Sequence, residues 1–149
     1  MLPVFLTIIS YCFATMLPVS LDSVRLFLHV LAASVWVGGQ ITVAGLVPVL
    51  RRVSPDALRP VGRRFGQVAW MAFAVLIVTG IWNVIAVRSQ LRGSYAATLW
   101  VKLAAVAISG VAAWAHGRSR TPKSRATLGM LTVLTALGAL FLGIELSGG

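Results

Sequence analysis

The stretch LHVLAASVWVGGQ, residues 28–40, sets a histidine at the head of a run otherwise as apolar as a membrane span and closes it on Gly38, Gly39 and Gln40. Working outward, apolar residues extend from about 23 to 50. That is long enough to cross about 30 Å of hydrocarbon, which takes roughly 20 helical residues. Three further runs follow, at about 66–87, 96–116 and 126–146. Over its 149 residues the chain is 58% hydrophobic and 11% charged, with a mean hydropathy of +0.92, far more apolar than a water-soluble domain. The runs are continuous rather than alternating, unlike the strands of a membrane barrel. The sequence predicts an all-α, integral membrane four-helix bundle forming one domain over residues 22–149.

Residues 1–21, MLPVFLTIISYCFATMLPVSL, are hydrophobic but lack a basic leader and carry Pro3 and Pro18. They read as a weak signal segment, as an interfacial or fifth hydrophobic segment, or as an extension upstream of a start at Met16. Cys12 is the single cysteine, so neither an intramolecular disulfide nor a cysteine cage for a metal is available.

The formal charge of +10 is unevenly distributed. Arg51, Arg52, Arg59, Arg63 and Arg64 lie between the first two runs, and Arg118, Arg120, Lys123 and Arg125 between the last two. On the opposite side stand Arg25, Arg88 and Arg92, partly offset by Asp22 and Glu145. The positive-inside rule then puts both basic loops in the cytoplasm of a plasma (inner) membrane protein and both ends of the four-span body outside. The loops read as topology determinants in contact with anionic lipid, not as a nucleic-acid surface.

With this orientation, His29 lies about 6 Å below the outer boundary near Arg25, and Lys102 roughly 9 Å below the boundary near Ala96, at 1.5 Å per residue. Asn83 and Thr79 belong to the same outer half. His29, Ala33, Trp36 and Gln40 share one helix face. Lys102, Ala105, Ser109, Ala112 and His116 share another, and Thr135, Gly138, Leu142 and Glu145 are the inward stripe expected of the fourth span. Small residues on these stripes let helices approach closely. Polar groups from all four spans therefore converge at one depth, which is unusual because membrane-buried ionisable groups are costly. Each also has an ordinary explanation: Lys102 can snorkel, His29 can bond a carbonyl, Asn83 and Thr79 can lock helices together, and tryptophans can pack or anchor.

Three short motifs add to this. A Trp36-Val37-Gly38-Gly39 occurs in the first span, Arg64-Phe65 precedes a second span ending Thr79-Gly80-Ile81-Trp82-Asn83, and Lys102-Leu103 follows in the third. In order and spacing they resemble the copper-resistance D (CopD) membrane domain over roughly residues 24–120. The resemblance implies a bacterial plasma-membrane protein of copper uptake or tolerance. Leu28-His29 and Trp100-Val101-Lys102-Leu103 also resemble HemJ-type protoporphyrinogen oxidases, in which such a histidine and lysine are implicated in haem binding and activity.

Copper(I) favours Cys, Met and His donors. The spans offer His29, His116, Met71 and Met130, with both methionines toward the cytoplasmic side. A haem b needs one or two axial ligands and an apolar slot. The candidates are therefore His29 as metal ligand, His29, Trp36, Asn83 and Lys102 as cofactor-binding groups, and Lys102 as the catalytic group of any enzyme, opposite an anion or a carboxylate such as Glu145. The cofactor is a copper ion or haem b. No nucleophile–base pair, phosphate loop or carboxylate dyad points to a hydrolase or kinase. Three functions stand: copper transport or tolerance, a haem-dependent membrane oxidoreductase, and a non-catalytic membrane partner. A homo-oligomer is compatible with each.

Overall fold

A computed structural model describes residues 20–148; the hydrophobic stretch at 1–19, with Cys12, lies outside the described residues. Four long helices follow one another: α1 (Leu21–Val53), α2 (Leu58–Ala86), α3 (Gly93–Arg118) and α4 (Pro122–Gly148). All four are long and apolar enough to cross a membrane, and no strand occurs among the described residues. The chain is a multi-pass, all-α membrane bundle.

Helix ends follow local chemistry. Ser20 caps α1 by accepting the Ser23 backbone N–H on its hydroxyl at 3.1 Å, satisfying a donor that the first turn leaves open. Asp22 lies in that turn, and Arg51 and Arg52 lie in the last, each suited to the helix dipole. Short 3₁₀ turns at Pro55–Ala57 and Arg88–Gln90 join α1 to α2 and α2 to α3. Consecutive helices therefore run antiparallel, and α1 and α3 run parallel. We call the end where α1 begins the upper end, and the end carrying residues 51–64 and 118–125 the lower end.

The most intimate packing is within two hairpins, α1 on α2 and α3 on α4, which meet mainly through α1 and α4. Small residues set the close approaches. A Cβ at Gly39 would stand 2.7 Å from Cε2 of Phe65, and one at Gly110 would stand 2.6 Å from Cζ of Phe73. Only glycine admits rings that near a helix backbone. Gly39 of the Gly-Gly motif and Phe65 of the Arg-Phe motif are thus two halves of one α1–α2 contact.

The core lies around Trp36, Val37, Ala69 and Ala136, with Phe65, Phe73, Leu76 and Ala113 against it. Large apolar side chains such as Phe27, Trp100, Val111 and Met130 are exposed. In hydrocarbon this outward face meets lipid as apolar as itself, so packing and internal hydrogen bonds hold the helices together.

The stripes expected for α1 and α3 face inward as read: Trp36, Ser109 and Ala112 are buried, and His29, Lys102 and His116 are partly buried. On α4 the buried positions are Thr132, Ala136 and Ala139, with Thr135, Gly138 and Leu142 partly buried beside them, so the inward face is centred about one residue from the expected stripe and takes in all of it but Glu145. The smallest side chains win that face because α3 presses closely on it. Glu145 consequently points outward and is exposed.

Candidate functional site

Two layers of the bundle carry its polar side chains, and their hydrogen bonds differ in kind. In the middle, Trp36 donates its ring N–H to the Ser109 hydroxyl at 3.2 Å, and Ser109 donates in turn to the Thr132 carbonyl at 3.0 Å. This chain ties α1 to α3 and α4. The Trp36 ring packs on Phe73 with centroids 4.5 Å apart and on Trp70 at 5.8 Å. Both its surface and its N–H are engaged.

Two turns above Trp36, His29 reaches from α1 to α2, with Nδ1 2.8 Å from the Thr79 hydroxyl oxygen. That hydroxyl has one hydrogen, which it donates to the Val75 carbonyl at 2.7 Å. Thr79 therefore accepts from the ring, so the proton sits on Nδ1 and the lone pair on Nε2. This pattern fixes both tautomer and ring orientation, as an outer partner does for a metal-bound histidine. Gly80 lies beside the ring: a Cβ there would be 3.7 Å from Cε1 of His29. The Thr-Gly pair is the α2 half of the histidine seat.

Hydrogen-bond registers give the level of Lys102. Trp36 opposite Ser109 on the parallel helices α1 and α3 puts His29 level with Lys102. Ser109 opposite Thr132 on antiparallel α3 and α4 puts Lys102 level with Ala139. Yet the Lys102 ammonium stands 3.0 Å from where a Cβ on Gly143 would be. The side chain thus leans about one helical turn, ~6 Å, toward the upper end while staying against α4. Lys102 is partly buried and within electrostatic reach of His29.

Glu145 does not pair with Lys102. Among the described residues the one ion pair joins Arg25 to Asp22, at 3.2 Å. Asn83, one turn above Thr79 on the same face, is partly buried. Among the described residues no cluster of three His, Cys, Asp or Glu side chains forms a metal cage. His116 bonds the Arg125 carbonyl at 2.8 Å at the lower end, and Met71 and Met130 are exposed. The structure therefore brings His29, Thr79 and Lys102 together with Asn83 one turn above, and keeps His116 and the methionines apart from them.

The buried Arg25 and the Ser109 relay were not singled out by sequence. Ser109 lay on the expected α3 stripe. Arg25 read as a boundary charge, because nothing in a one-dimensional pattern marks a cation near a helix start as buried.

The sequence profile of a family described as copper resistance protein D matches residues 59–146. The match takes in Arg64, Phe65, Thr79, Gly80, Asn83, Lys102 and Leu103 and extends through α4, whereas His29 and Trp36 precede it. A protein of Aquifex aeolicus (strain VF5), named as an uncharacterized protein, is 29% identical over 131 residues, covering 81% of this chain and 92% of its own length. No solved structure matches.

Proposed function

We propose, from the premise that this chain belongs to the copper resistance protein D family, that it binds a copper ion as cargo through Nε2 of His29. The observation that carries this reading is the hydrogen-bond chain from His29 through Thr79 to the Val75 carbonyl. It holds an imidazole in membrane-buried surroundings with its free lone pair on the far nitrogen, the arrangement a metal ligand needs. A single oriented nitrogen makes an open, exchangeable position rather than a closed cage, and that suits an ion in passage. Trp36 serves as the apolar floor two turns below. Asn83, on the same α2 face as Thr79, supplies a polar amide above.

The basic loops at the lower end set the orientation: that end faces the cytoplasm of the plasma membrane and contacts anionic lipid, and the His29 layer lies in the outer half. Haem b fits these residues less well. Phe73 and Trp70 pack against the Trp36 ring, and Trp82 and Trp100 are turned outward, so the aromatic slot that would clasp a macrocycle is filled.

The test is a copper(I) titration of the detergent-purified full chain against a competing chelator, with an absorption spectrum of the same sample. One ion per wild-type chain is expected, retained by His116→Ala and lost in His29→Ala. Full retention by His29→Ala defeats the reading, and a Soret band in the purified protein replaces it with the haem one.

A further inference from the structure

One turn above the His29 layer is a second, chemically different place. Arg25 is only 7% exposed, and its Nε and Nη1 are buried without a hydrogen-bond partner. Its Nη2 is held by Asp22, whose own side chain is 74% exposed. A guanidinium has five N–H donors and is never deprotonated in a protein. A buried charge with open donors is among the most costly arrangements a membrane bundle can hold, and it calls for an anion.

The helix registers show what shares its level. His29 opposite Thr79 puts Arg25 level with Asn83. Trp36 opposite Ser109 puts Arg25 level with Thr98, and Ser109 opposite Thr132 puts Thr98 level with Gly143. Gly143 is where the Lys102 ammonium lies. The upward lean of Lys102 therefore brings its charge up to the level of Arg25 while it stays within electrostatic reach of His29. Both cations enter from partly or fully buried positions, and Asn83 and Thr98 at the same level are partly buried polar side chains. Of the three acids, Asp22 takes up only Nη2 of Arg25 from an exposed position, Glu145 is exposed and Asp56 lies at the lower end, so Nε and Nη1 of Arg25 and the Lys102 ammonium have no carboxylate among the described residues.

We infer that the upper end of the bundle is a binding site for a phosphate-class oxyanion, held between the open donors of Arg25 and the ammonium of Lys102, with Asn83 and Thr98 supplying neutral hydrogen bonds. The tetrahedral oxygens of such an anion match guanidinium donors, and the ammonium adds a mobile point charge. The phosphate comes either from a lipid headgroup or from free anion in the surrounding water. This site uses Arg25, which has no part in copper binding by His29, so the two proposals fail separately.

The experiment uses the full chain in a phosphate-free maltoside detergent, in two arms. One adds inorganic phosphate and the other adds phosphatidylglycerol, and each follows the apparent melting temperature. A saturable rise in the wild type is expected in at least one arm; a rise with lipid alone assigns a headgroup, and a rise with inorganic phosphate assigns free anion. Arg25→Gln and Lys102→Met should each lower the apparent affinity at least tenfold, whereas Arg120→Gln, on a lower-end loop that itself contacts anionic lipid, keeps the wild-type response in the inorganic phosphate arm. His29→Ala should also keep it. Without added anion Arg25→Gln should melt no lower than the wild type, because it removes a buried charge whose one partner, Asp22, is exposed and leaves two donors open. If Arg25→Gln fails to fold, Lys102→Met alone decides. No rise in either arm, or wild-type affinity in the charge variants that fold, overturns the site.

Discussion

Trp36 and His29 stand two turns apart on one face of α1, and the bundle treats them in opposite ways. The Trp36 N–H enters a chain of donors that ends on the Thr132 carbonyl, and its ring packs against two others. Around His29 the chains remain open, with a ring nitrogen free, a lysine without a carboxylate and, one turn higher, an arginine with two unused donors. Satisfied polar groups in hydrocarbon hold helices together, and unsatisfied ones mark where a ligand supplies the missing partner. The contrast separates these two layers as scaffold and site, although one turn below Trp36 the Gln40 amide nitrogen is also buried without a partner.

The comparison breaks most sharply at Trp36. Trp36→Ala empties the aromatic layer and severs the relay to α3, and it should cost about 3–5 kcal/mol of stability, measured by reversible unfolding in mixed detergent. If the loss matched that of His29→Ala, the two layers would not differ as described. Gly110→Ala comes next. Its methyl meets the Phe73 ring, which is itself held by Trp36 and Trp70, so overpacking should cost about 1–3 kcal/mol in the same assay.

Ser109→Ala leaves the Trp36 N–H without an acceptor in the most buried position among the described residues, and about 1 kcal/mol is expected. Thr79→Val sharpens the contrast from the other side. It keeps the shape of the side chain but removes the acceptor that orients His29, so stability should fall by only about 0.6 kcal/mol while copper(I) affinity falls about 10–100-fold. A Thr79→Val protein that binds copper as the wild type does would show that the histidine is oriented by something else. The smallest effect is expected at His116→Ala, whose bond to the Arg125 carbonyl lies at the partly exposed lower end.

Much of this architecture was legible in residue order. Helix number, span positions and the inward faces of α1 and α3 follow from hydropathy and from where histidine, lysine and small residues repeat. On α4 the centre of the inward face lies about one position from the stripe that the sequence predicts, with Thr135, Gly138 and Leu142 at its edge and Glu145 outside it, because that span is nearly uniform in hydropathy. Its orientation is decided by side-chain volume against α3, which a polar landmark such as Glu145 does not report. That His29 and Lys102 stand at one level was also readable, since an ionisable residue inside an apolar run is conspicuous. The partner of the histidine, the upward lean of the lysine and the burial of Arg25 were not, because each depends on which residue of another helix stands opposite.

The division into two hairpins bears on how the chain is made. Each hairpin pairs a span that enters the membrane with one that returns, and each closes contacts of its own, Phe65 on Gly39 in the first and Ser109 on Thr132 in the second. The translocation machinery can therefore release two self-consistent pairs in succession rather than hold four helices until the last emerges. The Trp36–Ser109 bond and the Phe73–Gly110 contact then act as a latch between preformed halves, and the short turn at Arg88–Gln90 ensures that the halves which meet come from the same chain.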